Sequence, residues 1–275
     1  MLNQIKTVAL LGLLNALLIT ISYVAMGGTT GAIIGLVFAT VMNFSAWYYS
    51  DKCALAAYGA KPVTATQLPK LYSMVERLCQ RADLPVPAVY TIATPAANAF
   101  ATGRDPEHAA IAFTEGILNL LSDDELEAVI AHELSHIQNR DTLTQAVAAT
   151  LAGAISLLAI VGGGRSNRNP LGLILTAIFA SIAATIIQLA ISRTREFSAD
   201  TSAAKLTGNP RAVANALQRL ESSARQIPIQ SNPAFAPLLI INFSDGDWYS
   251  HLFSTHPSTQ ARIKNVLKLE QVQRR

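Results

Sequence analysis

Four stretches of this chain carry no charged residue: Val8–Met26, Gly31–Tyr49, Thr142–Val161 and Leu171–Ile191. Each is close to the ~20 residues that an α-helix needs to cross a bilayer. Gly27-Gly28-Thr29-Thr30 joins the first two as a tight turn, which predicts a hairpin. A polar, glycine-rich loop from Gly162 to Pro170 joins the last two into a second hairpin. Thr142–Val161 is rich in Ala, Gly and Thr, so this second pair also reads as two buried core helices. Trp47, Tyr48 and Tyr49 fall where an interfacial aromatic belt belongs. The N-terminal run is longer than an ordinary signal core and another span follows at once, so it reads as an uncleaved signal anchor.

Composition points the same way. Hydrophobic residues make up 51% of the chain and charged residues 14%, whereas a soluble domain carries about a quarter charged residues. The mean hydropathy is +0.31. A net charge of +3, with no basic stripe or aromatic platform, gives no ground for a nucleic-acid partner. The two cysteines, Cys53 and Cys79, lack zinc-ligand spacing and read as buried thiols in a reducing compartment.

Basic residues near the span ends set the orientation. Lys6, Lys52, Lys61, Arg140, Arg193 and Arg195 lie on one side, and only Arg165 and Arg168 on the other. The first side is predicted to be cytoplasmic. The expected organisation has an N-terminal transmembrane hairpin over residues 1–50 and a cytoplasmic domain built from 51–141 and 192–275. A second transmembrane hairpin, 142–191, is inserted between those two pieces.

The water-facing part is expected to be mainly α with a small β-sheet, an α+β fold. Leu68, Leu71, Tyr72, Val75, Leu78 and Cys79 fit one face of a helix over 66–81, which Leu84-Pro85-Val86-Pro87 ends. Ala88–Ile92, Asn98–Thr102 and Ala109–Phe113 are strand candidates. Ser122 and Glu125 make a capping box for a helix that runs to about Arg140. Asp123 and Asp124 suit the positive end of that helix.

This capped helix carries His132-Glu133-Leu134-Ser135-His136. Residues four apart project from one helical face, so both imidazoles can share one Zn²⁺. Glu133 stands about 100° round the helix. It is displaced from the ligand position but well placed to take a proton from a metal-bound water. The competing reading is two histidines satisfied by hydrogen bonds on a polar face. A catalytic zinc needs a third protein ligand, and no histidine follows at close spacing. If the helix after Ile191 continues through Arg195-Glu196-Phe197-Ser198-Ala199-Asp200, then Glu196 and Asp200 share a face. Glu196 is then the ligand, and Asp200 accepts the ring N–H of a ligand histidine. The alternative is a solvated face on which these acids pair with Arg193 and Arg195.

Together these motifs resemble the HtpX-like membrane zinc metalloproteases, which are gluzincins and are distantly similar to prenyl-protein endopeptidases. The resemblance covers most of the chain. It takes in Asp51-Lys52, Ala60-Lys61-Pro62-Val63, Asn98-Ala99-Phe100-Ala101-Thr102-Gly103 and Thr255-His256-Pro257-Ser258. It implies one zinc ion per subunit held by His132, His136 and Glu196, with Glu133 as base. It also implies a cytoplasm-facing site in a bacterial-type inner membrane and protein quality control of damaged or misfolded membrane proteins. The family's edge strand corresponds to Asn98, Ala99, Phe100 and Ala101, which can pair with an extended substrate backbone. His256 and Arg262 resemble its downstream element and can stabilise an anionic intermediate. Otherwise His256 caps a helix and Arg262 pairs with an acid. His108 and His251 read as structural.

Two other classes compete with a peptidase. An inactive zinc-binding membrane scaffold has no need of Glu133. A transporter or pore normally needs ionisable residues at the centre of its spans, and these spans have none.

Overall fold

The computed structural model describes residues 28–149, 193–229, 235–241 and 257–273, with scattered positions between 8 and 23. Helix α1 spans Gly28–Ala57. Gly28 opens it at φ +61°, a left-handed conformation that glycine adopts without steric cost. The helix passes Tyr49, where its apolar run ends, and carries Asp51 and Lys52 in its last turns. Among the described residues, its Gly28–Ser45 portion is the one helical stretch long and apolar enough to cross a membrane. Ile33, Val37, Val41 and Phe44 are 59–63% exposed there.

Described positions of the preceding stretch pack antiparallel to α1. Asn43 donates to the side chain of Asn15 at 2.8 Å. A Cβ on Gly35 would stand 2.7 Å from that of Ser22, so the two helices approach closely only because position 35 is glycine. Val8–Met26 is otherwise only partly described. Residues 141–149 are helical, but the rest of Thr142–Val161 and all of Leu171–Ile191 lie outside the described residues.

Past α1 come β1 (Lys61–Pro62), helix α2 (Pro69–Ala82), β2 (Ala88–Ile92), β3 (Ala99–Gly103) and β4 (Ala109–Thr114). The sheet order is β1-β2-β4-β3. β2 and β4 are parallel, whereas β3 runs antiparallel to β4. Among the described residues, the sheet therefore leaves one side of β3 free of strand pairing. β1 was not legible as a strand: it has two residues, one of them a proline, which an edge position tolerates. β3 starts one residue later than expected. Asn98 instead turns its side chain back to accept from the Ala99 N–H at 3.0 Å.

Period-two alternation sends β4 side chains to two cores. Ile111 and Phe113 join Leu78, Ile130, Leu217 and Leu220 on one face. Ala110 and Ala112 join Ala54, Leu55, Phe100, Val147 and Leu239 on the other. The first face is covered by α2, α4 (Asp123–Gln138), α6 (Pro210–Gln226) and α7 (Thr259–Gln273). Between these lie the short α3 (Glu115–Leu120) and α5 (Arg193–Thr207), the latter packed along α4.

α4 starts where the capping box put it: the Glu125 carboxylate accepts from the Ser122 N–H at 2.8 Å and from Arg219 at 2.7 Å. Leu126 and every residue from Ala128 to Ile137 are buried, the two histidines and Glu133 included. Buried polar groups are costly unless paired, which makes the centre of α4 the place to look for chemistry. Of the two thiols expected to be buried, Cys79 is fully so and Cys53 only partly. Burial, with Glu76 adding, pushes the Cys79 thiol up to about 11.

Candidate metal centre

His132 and His136 project from adjacent turns of α4, and Glu196 reaches them from the first turn of α5. The two Nε2 atoms stand 3.2 Å apart. Glu196 Oε2 lies 3.7 Å from His132 Nε2, and its Oε1 lies 3.6 Å from His136 Nε2. Ligand atoms about 2.1 Å from a tetrahedral centre are separated by about 3.4 Å. These three groups are therefore spaced as a zinc shell requires, before any ion is considered.

Each imidazole is fixed from behind. His132 Nδ1 is 3.0 Å from Asp200 Oδ1, and His136 Nδ1 is 3.1 Å from Asp141 Oδ2. A carboxylate at Nδ1 holds the proton there and turns the Nε2 lone pair towards the shared point. Asp200 thus lies beside the His132 ring. Asp141 was missed, because it lies beyond the end of α4. Arg140 takes φ +56° and reverses the chain, which returns Asp141 to the last-turn histidine. An acid just past the C-terminus of a histidine-bearing helix is the signal that could have found it.

A solvated acidic face on α5 is ruled out: Glu196 is 1% and Asp200 0% exposed. Arg195 does not pair with them but reaches Asp141 Oδ1 at 3.4 Å. Arg262, from the first turn of α7, is buried and grips Asp200 with two bonds of 2.8 and 2.7 Å. It also lies 3.4 Å from Glu196 Oε2. Arg262 thus pairs with an acid while touching the ligand cluster. His256 and His251 lie outside the described residues. His108 is exposed and pairs with Asp105 at 2.6 Å, away from the site.

Glu133 is 2% exposed and accepts a backbone hydrogen bond from Ala101 on β3. Burial raises its carboxyl above the usual range, against the pull of His132 and His136 and with a push from Glu196. The Asn98–Ala101 segment is thereby brought to the base. Its side chains divide: Phe100 is fully buried against Tyr58, at 5.1 Å between rings, so only the backbone of Ala99 and Ala101 faces the free side.

Charge balance fits a divalent cation. Glu133, Asp141, Glu196 and Asp200 are buried carboxylates, and Arg195 and Arg262 are the guanidiniums beside them. Among the described residues, the buried acids of this cluster outnumber the guanidiniums beside them, as suits a cation site. The same acids favour a proton on His136. Burial opposes it, but Asp141, Glu196 and Glu133 outweigh burial and push the imidazole up to about 9.

The profile of Peptidase family M48 matches residues 65–270. The chain belongs to this family. It is 64% identical to "Protease HtpX homolog" of Trichormus variabilis, over 98% of this chain and 97% of that protein. It is 47% identical to the Sulfurihydrogenibium sp. protein of the same description, over 98% of this chain and 97% of the relative. Its fold is similar to that in the crystal structure of S. mikatae Ste24p, with a TM-score of 0.52 at 19% identity. That match covers 96% of this chain and 64% of the longer one.

A metal ion held through His136 would have to displace that proton, so affinity for Zn²⁺ is expected to rise with pH up to about 9. Asp141→Ala removes the orienting carboxylate and should weaken zinc about 10–100-fold. The full loss is expected above pH 9. At pH 7 it shrinks, because the variant imidazole also gives up its proton more readily. Chelator competition at both pH values checks this; an undiminished affinity at pH 9.5 would show that Asp141 does not orient the ligand.

Proposed function

We propose that this chain, a membrane-bound metalloprotease of family M48 that acts on protein substrates, is a zinc-dependent endopeptidase with a gluzincin-type site, in which His132, His136 and Glu196 hold the metal and Glu133 is the general base. The observation that carries this reading is the convergence of His132, His136 and Glu196 at tetrahedral spacing, with Glu133 buried on the next helical position. Zinc held there supplies a Lewis acid that brings the pKa of bound water towards neutrality.

Glu133 takes the proton of the attacking water and returns it to the leaving amine as the peptide C–N bond breaks. Burial raises its carboxyl above the usual range, the direction that favours handing the proton on. Asn98, Ala99 and Ala101 align an extended substrate along the free side of β3, while Phe100, buried against Tyr58, holds the strand in place. Asp200 keeps the His132 ring in place. Arg262 fixes Asp200 and sets a positive charge beside the anionic intermediate, a task that His256 shares.

In this reading four spans set the site at the cytoplasmic face of a bacterial-type inner membrane, where damaged or misfolded membrane proteins are its substrates; the basic residues near the span ends support that orientation. The exposed apolar side of α1 supports a lipid environment. So does Arg104, whose guanidinium lies 5.9 Å from the Trp47 ring and 5.1 Å from that of Tyr48, at the level of an aromatic belt. Chelator treatment of the detergent-purified protein is expected to abolish casein cleavage, and Zn²⁺, not Mg²⁺ or Ca²⁺, to restore it. Bound zinc without cleavage would favour the inactive scaffold.

A further inference from the structure

The free side of β3 is already engaged by the chain itself. The Ile240 N–H donates to the Ala99 carbonyl at 3.1 Å. The Asn98 side-chain amide donates to the Ile241 carbonyl at 2.6 Å and accepts from the Ile241 N–H at 3.5 Å. Residue 240 faces 99 and 241 faces 98, so the segment runs antiparallel to β3. The Ile240 carbonyl accepts from Arg262 Nη1 at 3.0 Å. The Ile240 side chain, 4% exposed, packs in one core with Ala128, Val129, Val213, Ala216 and Leu217, and together with them, His132 and Asp200 it lines a small cavity.

We propose that Leu239-Ile240-Ile241 is a built-in stand-in for substrate, holding the line on β3 that an extended substrate takes and keeping the resting site closed. This rests on the reading of β3 as the substrate strand. The polar contacts of Ile240 and Ile241 carry the argument. They are made with Ala99, Asn98 and Arg262, and not with a further strand of the sheet. Two residues on, along the same strand, Ala101 bonds to Glu133. A chain laid along Ala99 is thus led directly to the base. The edge of a sheet is a template for any extended backbone, and here the enzyme covers its own.

The substrate class follows from what must be displaced. An incoming chain has to be extended, to replace the backbone bonds. It also has to present a branched aliphatic side chain where Ile240 now sits. Folded proteins offer neither; unfolded apolar segments offer both.

Two measurements test this on the zinc-loaded full chain. Ile240→Ala loosens the segment, and its KM for casein should fall with kcat kept. The fall is about tenfold if the site is open about a tenth of the time. An unchanged or higher KM overturns the proposal. Should the variant fail to fold or to hold zinc, hydrogen exchange on Glu133→Gln with and without casein decides. Faster exchange at Ile240 and Ile241, with new protection across Ala99–Gly103, is the expected result. New protection there without release of Ile240 overturns the stand-in and leaves the substrate strand standing. No new protection at Ala99–Gly103 overturns both.

Discussion

Glu133→Gln is expected to lower casein cleavage by at least about 10²–10⁴-fold, the range a positioned general base contributes, while the protein keeps its zinc. The substitution is isosteric and the amide oxygen can still accept from the Ala101 N–H, so β3 and α4 stay in register. What is lost is the carboxylate that moves the proton. None of the metal-facing contacts changes: His132, His136 and Glu196 approach one another through their own atoms, and Asp200 and Asp141 still hold the two rings. Zinc content by metal analysis and cleavage rate are measured on the same preparation. Loss of both would make Glu133 a structural member of the cluster. Retention of both would remove it from the mechanism and reopen the scaffold reading.

Much of this centre was legible because it depends on helical periodicity. The i, i+4 spacing of His132 and His136, and of Glu196 and Asp200, puts each pair on one face whatever the tertiary context. The capping box at Ser122 marked the start of α4 from local chemistry alone. The strands β2 and β4 showed as short runs bounded by turn residues. What the sequence did not yield depends on chain reversal or on distant segments meeting. Asp141 needs the left-handed Arg140 to fold it back. The two residues of β1 make no pattern, and their pairing with β2 is decided by what lies beside them. The hold of Ile240 on Ala99 joins positions some 140 residues apart, and no local rule links them. Arg262 was recognised from its motif, but its fork on Asp200 is a tertiary fact.

That fork carries the second large effect. Arg262→Met is expected to destabilise the domain by about 3–5 kcal/mol, because it leaves Asp200 as a buried charge without its cation. In a domain of this size that is a fall in Tm of roughly 10 °C or more. Burial alone would raise the Asp200 carboxyl. Arg262, through its charge and hydrogen bonds, and His132 outweigh burial and hold it below the usual carboxylate range. The sign follows: the stability gained from ionised Asp200 is present above the unfolded carboxyl's pKa and is lost as pH falls through the folded one. Between pH 5 and 8 the wild type therefore keeps the whole contribution, and Arg262→Met lacks it throughout. The double variant Arg262→Met with Asp200→Leu removes both charges, and its Tm should recover part of the loss. Zinc affinity should not recover with it, since His132 then has no carboxylate at Nδ1. Stability and metal binding are thus separable at this pair. A double variant that fell in Tm by the sum of the two single changes would mean that the fork contributes no coupling, and that Arg262 serves the site through Glu196 and Ile240 alone.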